Sequence, residues 1–211
     1  MLPLAFVTTP GLSATGLATT GGAATATAKS VPPSGSEITF ETRQLGRNVG
    51  AEGTALYLSL LLRPETDFGF YGGVNLGGLF LGKSGTTGTY GLEGSGGNIA
   101  SSSVAASAGD TVLLLLRATF LAGNDVLDLF VNPTIGAPVP LVADASLSGY
   151  DLGLANIFTI NNAGAWTVDE IRLGTTIEDV LPAAAVPEPA SLTLLACGLG
   201  VAAVRRRMQR S

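Results

Sequence analysis

The sequence predicts an all-β domain, built as a sandwich or barrel of short strands. Glycine is abundant, with 29 residues among 211, whereas only 13% of the residues are charged. This composition is typical of an extracellular β domain with many turns. Apolar runs in the body are short and interrupted by glycine, and none has a convincing amphipathic helical period. The 46% of hydrophobic residues is too high for a chain that is disordered throughout.

The strand-like pattern begins at Ile38. Residues 1–36 are rich in Thr, Gly, Ala, Ser and Pro and are typical of a loop segment. Thr54–Leu62 is a strong strand, which we expect to end at Arg63–Pro64 because proline has no N–H to donate. Phe68–Leu81 mixes aromatic residues with glycines and predicts further strand, followed by a turn.

The middle of the chain predicts one buried strand and its hairpin partner. Tyr90–Leu92 is a short strand, and we expect Gly94–Ser103 to be a loop. Thr111–Phe120 is continuously apolar, as in a central strand that is covered on both faces. A turn at Ala122–Asp125 then leads to Val126–Val131.

The last strand of the body is predicted at Trp166–Leu173. Ile157–Ile160 precedes it as a short strand, and Asn161–Gly164 has the composition of a turn between the two. We therefore place one β domain at residues 37–182.

Charge and residue usage exclude several classes of function. The whole chain carries 11 − 16 = −5. Residues 186–211 hold four arginines and Glu188, or +3, which leaves 7 − 15 = −8 for residues 1–185. An acidic body argues against nucleic acid as a partner. Histidine is absent, which removes the commonest general base and metal ligand, and the single cysteine, Cys197, permits no intrachain disulfide and no cysteine zinc site.

The C-terminal segment 186–211 has three consecutive parts. The first is Val186-Pro187-Glu188-Pro189, the second is the uncharged run 190–204, and the third is the basic cluster Arg205, Arg206 and Arg207. A helix over the uncharged run would be about 22 Å long, against about 30 Å for the hydrocarbon core of a bilayer. We therefore expect a transient membrane segment whose arginines stay in the cytoplasm.

The order of these parts resembles the PEP-CTERM sorting signal of exported bacterial proteins. The resemblance implies an exosortase-type processing enzyme as a partner, which acts near the Pro-Glu-Pro motif. It also implies a brief stay in the inner membrane, followed by the cell surface or the extracellular matrix. Cys197 then lies in the membrane segment as a small apolar residue, with lipidation as the alternative.

The start of the chain shows no export signal, although the sorting tail requires one. The first basic residue is Lys29, and the apolar run after Met1 is too short for a signal peptide. We expect that a signal peptide and the start of the β domain precede the sequence given, and that residues 1–36 are the remainder of a truncated domain start.

Two segments of the body resemble laminin-G-like and concanavalin-like jelly rolls. Val168–Thr176 is similar to the closing strand of those domains, and Asn124–Pro133 is similar to the strand that precedes it. Tyr57–Leu61 and Leu79–Lys83 add to the likeness, which covers roughly Leu45 to Pro182. The resemblance implies a jelly-roll sandwich, followed by one C-terminal hydrophobic helix.

Acidic residues supply the weak candidates for a metal or ligand site. Asp125 and Asp128 flank a turn and could coordinate calcium, although with Asn124 they also suit a hairpin. Asp169, Glu170 and Arg172 could contact carbohydrate or calcium, or could form an ion pair that fixes the last strand. On a regular strand Glu170 and Arg172 would share one face and Asp169 would lie on the other. No closely spaced carboxylate run of a glycosidase is present, which argues against hydrolysis.

Aromatic residues suggest a sugar-stacking platform, although core packing is the commoner role of aromatics in such strands. The candidates are Tyr57, Phe68, Phe70, Tyr71 and Tyr90.

These observations predict an exported, non-enzymatic surface or matrix protein without a cofactor. The alternatives are a lectin-like carbohydrate-binding module, assisted by calcium or not, and a hydrolase whose catalytic part lies upstream.

Overall fold

The computed structural model describes residues 38–85, 87–135 and 138–181, which form a mostly β structure. Nine strands form one antiparallel sheet that nearly closes into a barrel or sandwich, so the predicted all-β class is confirmed. The strands are β1 Ile38–Val49, β2 Ala55–Leu76, β3 Leu79–Lys83, β4 Thr89–Gly94, β5 Asn98–Ala105, β6 Val112–Thr119, β7 Asp125–Val131, β8 Ala145–Tyr150 and β9 Ala155–Gly174. A short helix, α1, spans Ile177–Val180.

The two long strands β2 and β9 run side by side and belong to both layers of the fold. The first part of β2 pairs with β6 and with the end of β9, whereas its last part pairs with β3 and with the start of β9. One layer, sheet A, therefore contains β5, β4, β3, the end of β2, the start of β9 and β1. The other layer, sheet B, contains β8, β7, β6, the start of β2 and the end of β9.

The chain bends between the two sheets where glycines let β2 and β9 approach closely. A Cβ at Gly69 would collide with the carbonyl oxygen of Ala163, and one at Gly164 would collide with the backbone of Gly69. Asp67 has a φ of 68°, and the β2–β9 register shifts on both sides of Phe68. Irregularities of this kind bend and twist a strand without ending it.

The core lies between the sheets and follows the alternation of β2. Leu58, Leu60 and Leu62 point inward from sheet B, and Val74 and Leu76 point inward from sheet A. Trp166 is fully buried over Gly72, where its ring occupies the space that a side chain would take, and its indole N–H donates to the carbonyl of Ala163 at 3.1 Å.

A second, smaller cluster covers the outer face of sheet B. Leu61, Leu115 and Phe130 pack there against Val180 and Leu181 at the end of α1. This layer explains why the strands β2 and β6 are apolar on both faces.

The far ends of the two sheets meet at Tyr150. Strand β8 of sheet B contacts β4 and β5 of sheet A. The ring of Tyr150 lies over Gly94, with a ring carbon 2.8 Å from the position of a Cβ there, and its hydroxyl accepts a hydrogen bond from Ser95 at 3.3 Å. This contact nearly closes the sheet.

Several predicted boundaries were wrong. Gly94–Ser103 is not a loop, because Asn98–Ala105 forms the edge strand β5, which follows a turn at Gly96 and Gly97. Strand β8 was not predicted, and it separates Asn124–Pro133 in sequence from the closing strand.

The two long strands were predicted as shorter pieces. Pro64 does not end β2. Strand β6 begins at Val112, the partner of Leu62, so no residue of β6 lies opposite Pro64 and its missing N–H removes no hydrogen bond between β2 and β6. Asn161–Gly164 is not a turn, because Asn162 pairs with Gly72 within β9.

The predicted C-terminal features lie outside the described residues. These are the motif at 186–189, the segment 190–204 and the arginines at 205–207, and the predicted N-terminal loop at 1–36 also lies outside. Within the described part of the chain, no helix has the length and apolar character needed to cross a membrane.

Candidate functional site

Three glycines form a row across the outer face of sheet A. Gly73 of β2 pairs with Gly82 of β3, which pairs with Gly91 of β4. On its other side Gly73 pairs with Asn161 of β9. Residues that are directly paired across strands share one face of the sheet. The row therefore leaves a strip of the face without side chains.

Close approach of the backbones requires glycine at these positions. A Cβ on Gly73 would collide with the carbonyl oxygen of Leu81, and one on Gly82 with the carbonyl oxygen of Gly72. A Cβ on Gly91 would lie 2.5 Å from the carbonyl oxygen of Ala100. The strip without side chains, whose three glycines are themselves buried, is therefore a consequence of how tightly the strands β2 to β5 pack.

Tyr71 reaches across the glycine row to Glu93. Tyr71 lies two residues before Gly73 on β2, whereas Glu93 lies two residues after Gly91 on β4, where it pairs with Phe80. Because β2 and β4 run in the same direction, the two side chains lie on opposite sides of the glycine row. The Tyr71 hydroxyl donates to both carboxylate oxygens of Glu93, at 3.2 and 3.3 Å. Its ring meets that of Phe80 edge-on, with centroids 5.3 Å apart. Burial raises the pKa of Tyr71, and the charge and hydrogen bond of Glu93 raise it further. The phenol therefore stays protonated at neutral pH and donates its hydrogen bond to Glu93.

A cavity of about 240 Å³ opens beside these side chains. It offers two aromatic rings, one carboxylate, and the amide and hydroxyl groups of Asn75, Asn161 and Ser95. The cavity is a shallow, open depression with a mainly polar lining, unlike the enclosed and mostly apolar pockets that hold drug-sized ligands. The residues that line it are Tyr71, Asn75, Gly78, Phe80, Glu93, Gly94, Ser95 and Asn161.

The lining can bind and orient a ligand by stacking and hydrogen bonds. Glu93 is the single carboxylate among these residues, so the lining holds no pair of the kind that glycosidases use. Asn75 and Asn161 each provide an acceptor and two donors.

The predicted aromatic platform is not assembled as proposed. Tyr90 is fully buried in the core, Phe68 packs edge-on against Trp166 at 5.1 Å, and Tyr57 packs against the second cluster. Of the predicted set, Tyr71 alone lines the cavity, while Phe70 is 73% exposed away from it.

Phe80, Glu93, Asn75 and Asn161 were missed as a group. The alternation in Leu79-Phe80-Leu81 gives an outward Phe80 between two inward leucines, and this was the available signal. The grouping itself depends on the register of four strands.

Asp125 is a hairpin residue that also holds a second loop. It is almost fully buried, and its two carboxylate oxygens accept backbone N–H bonds from Leu121 at 3.0 Å and from Leu152 at 2.9 Å. These contacts tie the β6–β7 turn to the segment before β9.

Asp128 belongs to a polar cluster on sheet B. Its Oδ2 pairs with Arg117 at 2.8 Å, and its Oδ1 accepts from the Ser146 hydroxyl at 2.8 Å. The carboxylate oxygens of Asp125 and Asp128 thus have separate protein donors. Among the described residues, no group of three or more Cys, Asp or Glu side chains could hold a metal ion.

A bulge in β9 changes the predicted arrangement of Asp169, Glu170 and Arg172. Glu170 has a φ of 48°, and Glu170 and Ile171 of β9 together face the single Leu60 of β2, because Leu61 pairs with Asp169 and Ser59 with Arg172. Asp169 and Arg172 therefore share a face, contrary to the simple alternation. Glu170 and Arg172 form the expected ion pair, at 2.6 Å.

Comparison with known proteins identifies no family. No family model matches the chain, and no curated protein is significantly similar to it. Among solved structures, the crystal structure of alginate lyase vAL-1 from Chlorella virus is similar over 61% of this chain and 74% of that chain, with 9% identity and a TM-score of 0.34. A likeness at that level carries no argument about this protein.

Proposed function

We propose that the protein is an exported, non-enzymatic surface or matrix protein, delivered by an exosortase-type system. The observation that carries the proposal is the order of parts in residues 186–211, where Pro187-Glu188-Pro189 precedes an uncharged run and an arginine cluster. Three adjacent arginines directly after a run without charge suit a membrane boundary better than a soluble core. The proposed path is export, transient anchoring in the inner membrane, and transfer or release outside.

For the body of the chain, we propose the laminin-G-like type of jelly-roll fold. It is supported by the two packed layers and by the position of Val168–Leu173 in the last strand. The acidic body, with 7 − 15 = −8 in residues 1–185, suits a protein outside the cell that binds no nucleic acid.

Replacing the motif tests the sorting proposal. In a bacterium that carries an exosortase-type enzyme, and with an export signal supplied, the variant with alanine at Pro187, Glu188 and Pro189 should stay uncleaved in the inner membrane. The matched control replaces Pro138 and Pro140, which are exposed in the body. Normal processing of the motif variant would contradict the proposal.

A carbohydrate-binding module is the second candidate, favoured by the cavity on the outer face of sheet A. Tyr71 offers a half-buried ring on which the C–H groups of a sugar can pack, and Phe80, which is 4% exposed, supports that ring edge-on from below. Asn75, Asn161 and Glu93 offer the hydrogen-bonding groups that sugar hydroxyls need. This role, assisted by calcium or not, is compatible with a place in a polysaccharide matrix.

Calorimetry on the full chain, in a detergent without a sugar headgroup, tests the carbohydrate role. Tyr71→Ala should weaken binding of an oligosaccharide by about tenfold, because it removes the half-buried ring that lines the cavity. Phe70→Ala is the control, since Phe70 is equally aromatic and 73% exposed but does not line the cavity. Equal losses in the two variants would contradict the assignment.

A further inference from the structure

We infer that the cavity on the outer face of sheet A selects an uncharged sugar ring over a uronic acid. This inference rests on the carbohydrate role proposed above and adds the class of sugar. Among the described lining residues, Glu93 carries the only charge, and that charge is negative. A carboxylated sugar in this cavity would place two like charges close together.

The position of Glu93 is fixed, so it cannot easily turn away from such a ligand. Both of its carboxylate oxygens accept from the Tyr71 hydroxyl, at 3.2 and 3.3 Å. Tyr71 is in turn held by its edge-on contact with Phe80 and by the close packing of its ring against Gly85. A carboxylate held in this way still has lone pairs for sugar hydroxyls, which are donors.

None of the described residues that line the cavity is basic, so none of them can neutralise a uronate there. Lys83 of β3 is a basic residue of sheet A, and its ammonium group donates to the carbonyl of Phe70 at 2.8 Å. Lys83 pairs with Gly72 and Tyr90, whose side-chain positions face the core, whereas Glu93 and Phe80 face outward. Burial lowers the pKa of Lys83.

The surrounding charge acts in the same direction over longer distances. Residues 38–181 contain six basic and fourteen acidic residues, or 6 − 14 = −8. The field of such a body repels polyanionic chains, and salt weakens the repulsion.

The size of the cavity limits the contact to about one ring. Its volume of about 240 Å³ lies below the roughly 300–1,000 Å³ of pockets that enclose drug-sized ligands. A polysaccharide would therefore insert one residue or an end, and the character of that single ring would decide selectivity.

Matched pairs of oligosaccharides test the inference on the full chain. Each pair contains a hexose oligomer and the hexuronate oligomer of the same length and linkage, in the gluco, galacto and manno series. We expect at least one neutral oligomer to bind about tenfold or more tighter than its uronate at low salt, and the ratio to narrow at high salt.

The outcomes separate the two proposals. A uronate that binds as tightly as its neutral partner, or tighter, overturns the selectivity and leaves the carbohydrate role standing. No binding in any pair overturns the carbohydrate role itself.

The variant Glu93→Gln tests whether the carboxylate in the cavity causes the selectivity. It should bring the neutral-to-uronate affinity ratio close to one, whereas Glu52→Gln, which removes an exposed charge in the β1–β2 turn, should leave the ratio unchanged. An equal fall of the ratio in both variants would assign the selectivity to net charge and contradict the role given to Glu93.

Discussion

The hydroxyl of Tyr90 is buried in the core and, among the described residues, has no hydrogen-bond partner. An unsatisfied buried hydroxyl costs about 1–3 kcal/mol of stability. Burial, followed by the charge of Asp110, raises the pKa of Tyr90. Folding therefore keeps the phenol neutral, so that ionisation costs no stability at pH values below about 10, the ordinary value, and stability falls as pH rises from there toward the folded-state pKa.

Tyr90→Phe should raise the free energy of unfolding by about 1–3 kcal/mol, because it removes the unpaired hydroxyl and keeps the ring. Urea denaturation at pH 7 measures this change. The variant should also lose less stability than the wild type between pH 9 and 11. A loss of stability at pH 7 would show that the hydroxyl has a partner.

The glycine row gives a second prediction at the scale of single residues. Gly82→Ala should destabilise the protein by about 1–3 kcal/mol, since its Cβ would collide with a backbone oxygen that cannot move alone. Gly149→Ala is the control, because Gly149 also lies in a strand but has open space at the Cβ position. Thermal unfolding of the two variants compares them, and equal effects would contradict the close-packing argument.

Little of the candidate site could be predicted residue by residue. Tyr71 was a candidate because it is aromatic, and the outward direction of Phe80 follows from the alternation around it. Glu93, Asn75 and Asn161 join them only through the register of β4, β2 and β9. No local pattern encodes that register, because it is set by pairings between residues as far apart as Gly73 and Asn161.

At the scale of elements, periodicity predicted the buried strands well and the bent ones poorly. Thr111–Phe120 and Val126–Val131 match β6 and β7 closely, since apolar runs bounded by turns are a strong signal. The strands β2 and β9 were divided at Pro64 and at Asn161–Gly164. Residues that usually end strands here bend them, because each strand continues along the other.

The helix α1 depends on one carboxylate. Asp179 Oδ2 accepts the backbone N–H groups of Thr175 and Thr176 at 3.0 and 2.8 Å. Desolvation is the largest single influence and opposes the charged form, but these bonds and the Thr176 hydroxyl together lower the pKa of Asp179. Its stabilisation is therefore present above the unfolded-state pKa of about 3.9 and is lost as pH falls below that value.

Asp179→Asn should accordingly be less stable than the wild type at pH 6, and the difference should shrink between pH 4 and 2. Denaturant titrations across this range measure it. Asp151→Asn, which changes an exposed carboxylate elsewhere, is the control. A constant difference at all pH values would contradict the role of the Asp179 charge.

At the scale of the whole molecule, the body supports the proposal about ligand binding and the tail supports the proposal about destination. The body is a nearly closed β structure with an acidic surface and one aromatic, polar cavity on its outer face. The proposal for the destination of the protein rests on the order of motif, uncharged run and arginine cluster in the tail at 186–211. The two agree, since a matrix protein that binds neutral sugars would need delivery to the outside.

The mass of the mature protein tests the central proposal most directly. The full chain, with an export signal supplied, is produced in a bacterium that carries an exosortase-type enzyme, and the extracellular form is measured by intact mass spectrometry. We predict a C-terminus near Pro187-Glu188-Pro189, so that the uncharged run and the arginines are gone. A mature extracellular protein that ends at Ser211 would contradict the sorting account.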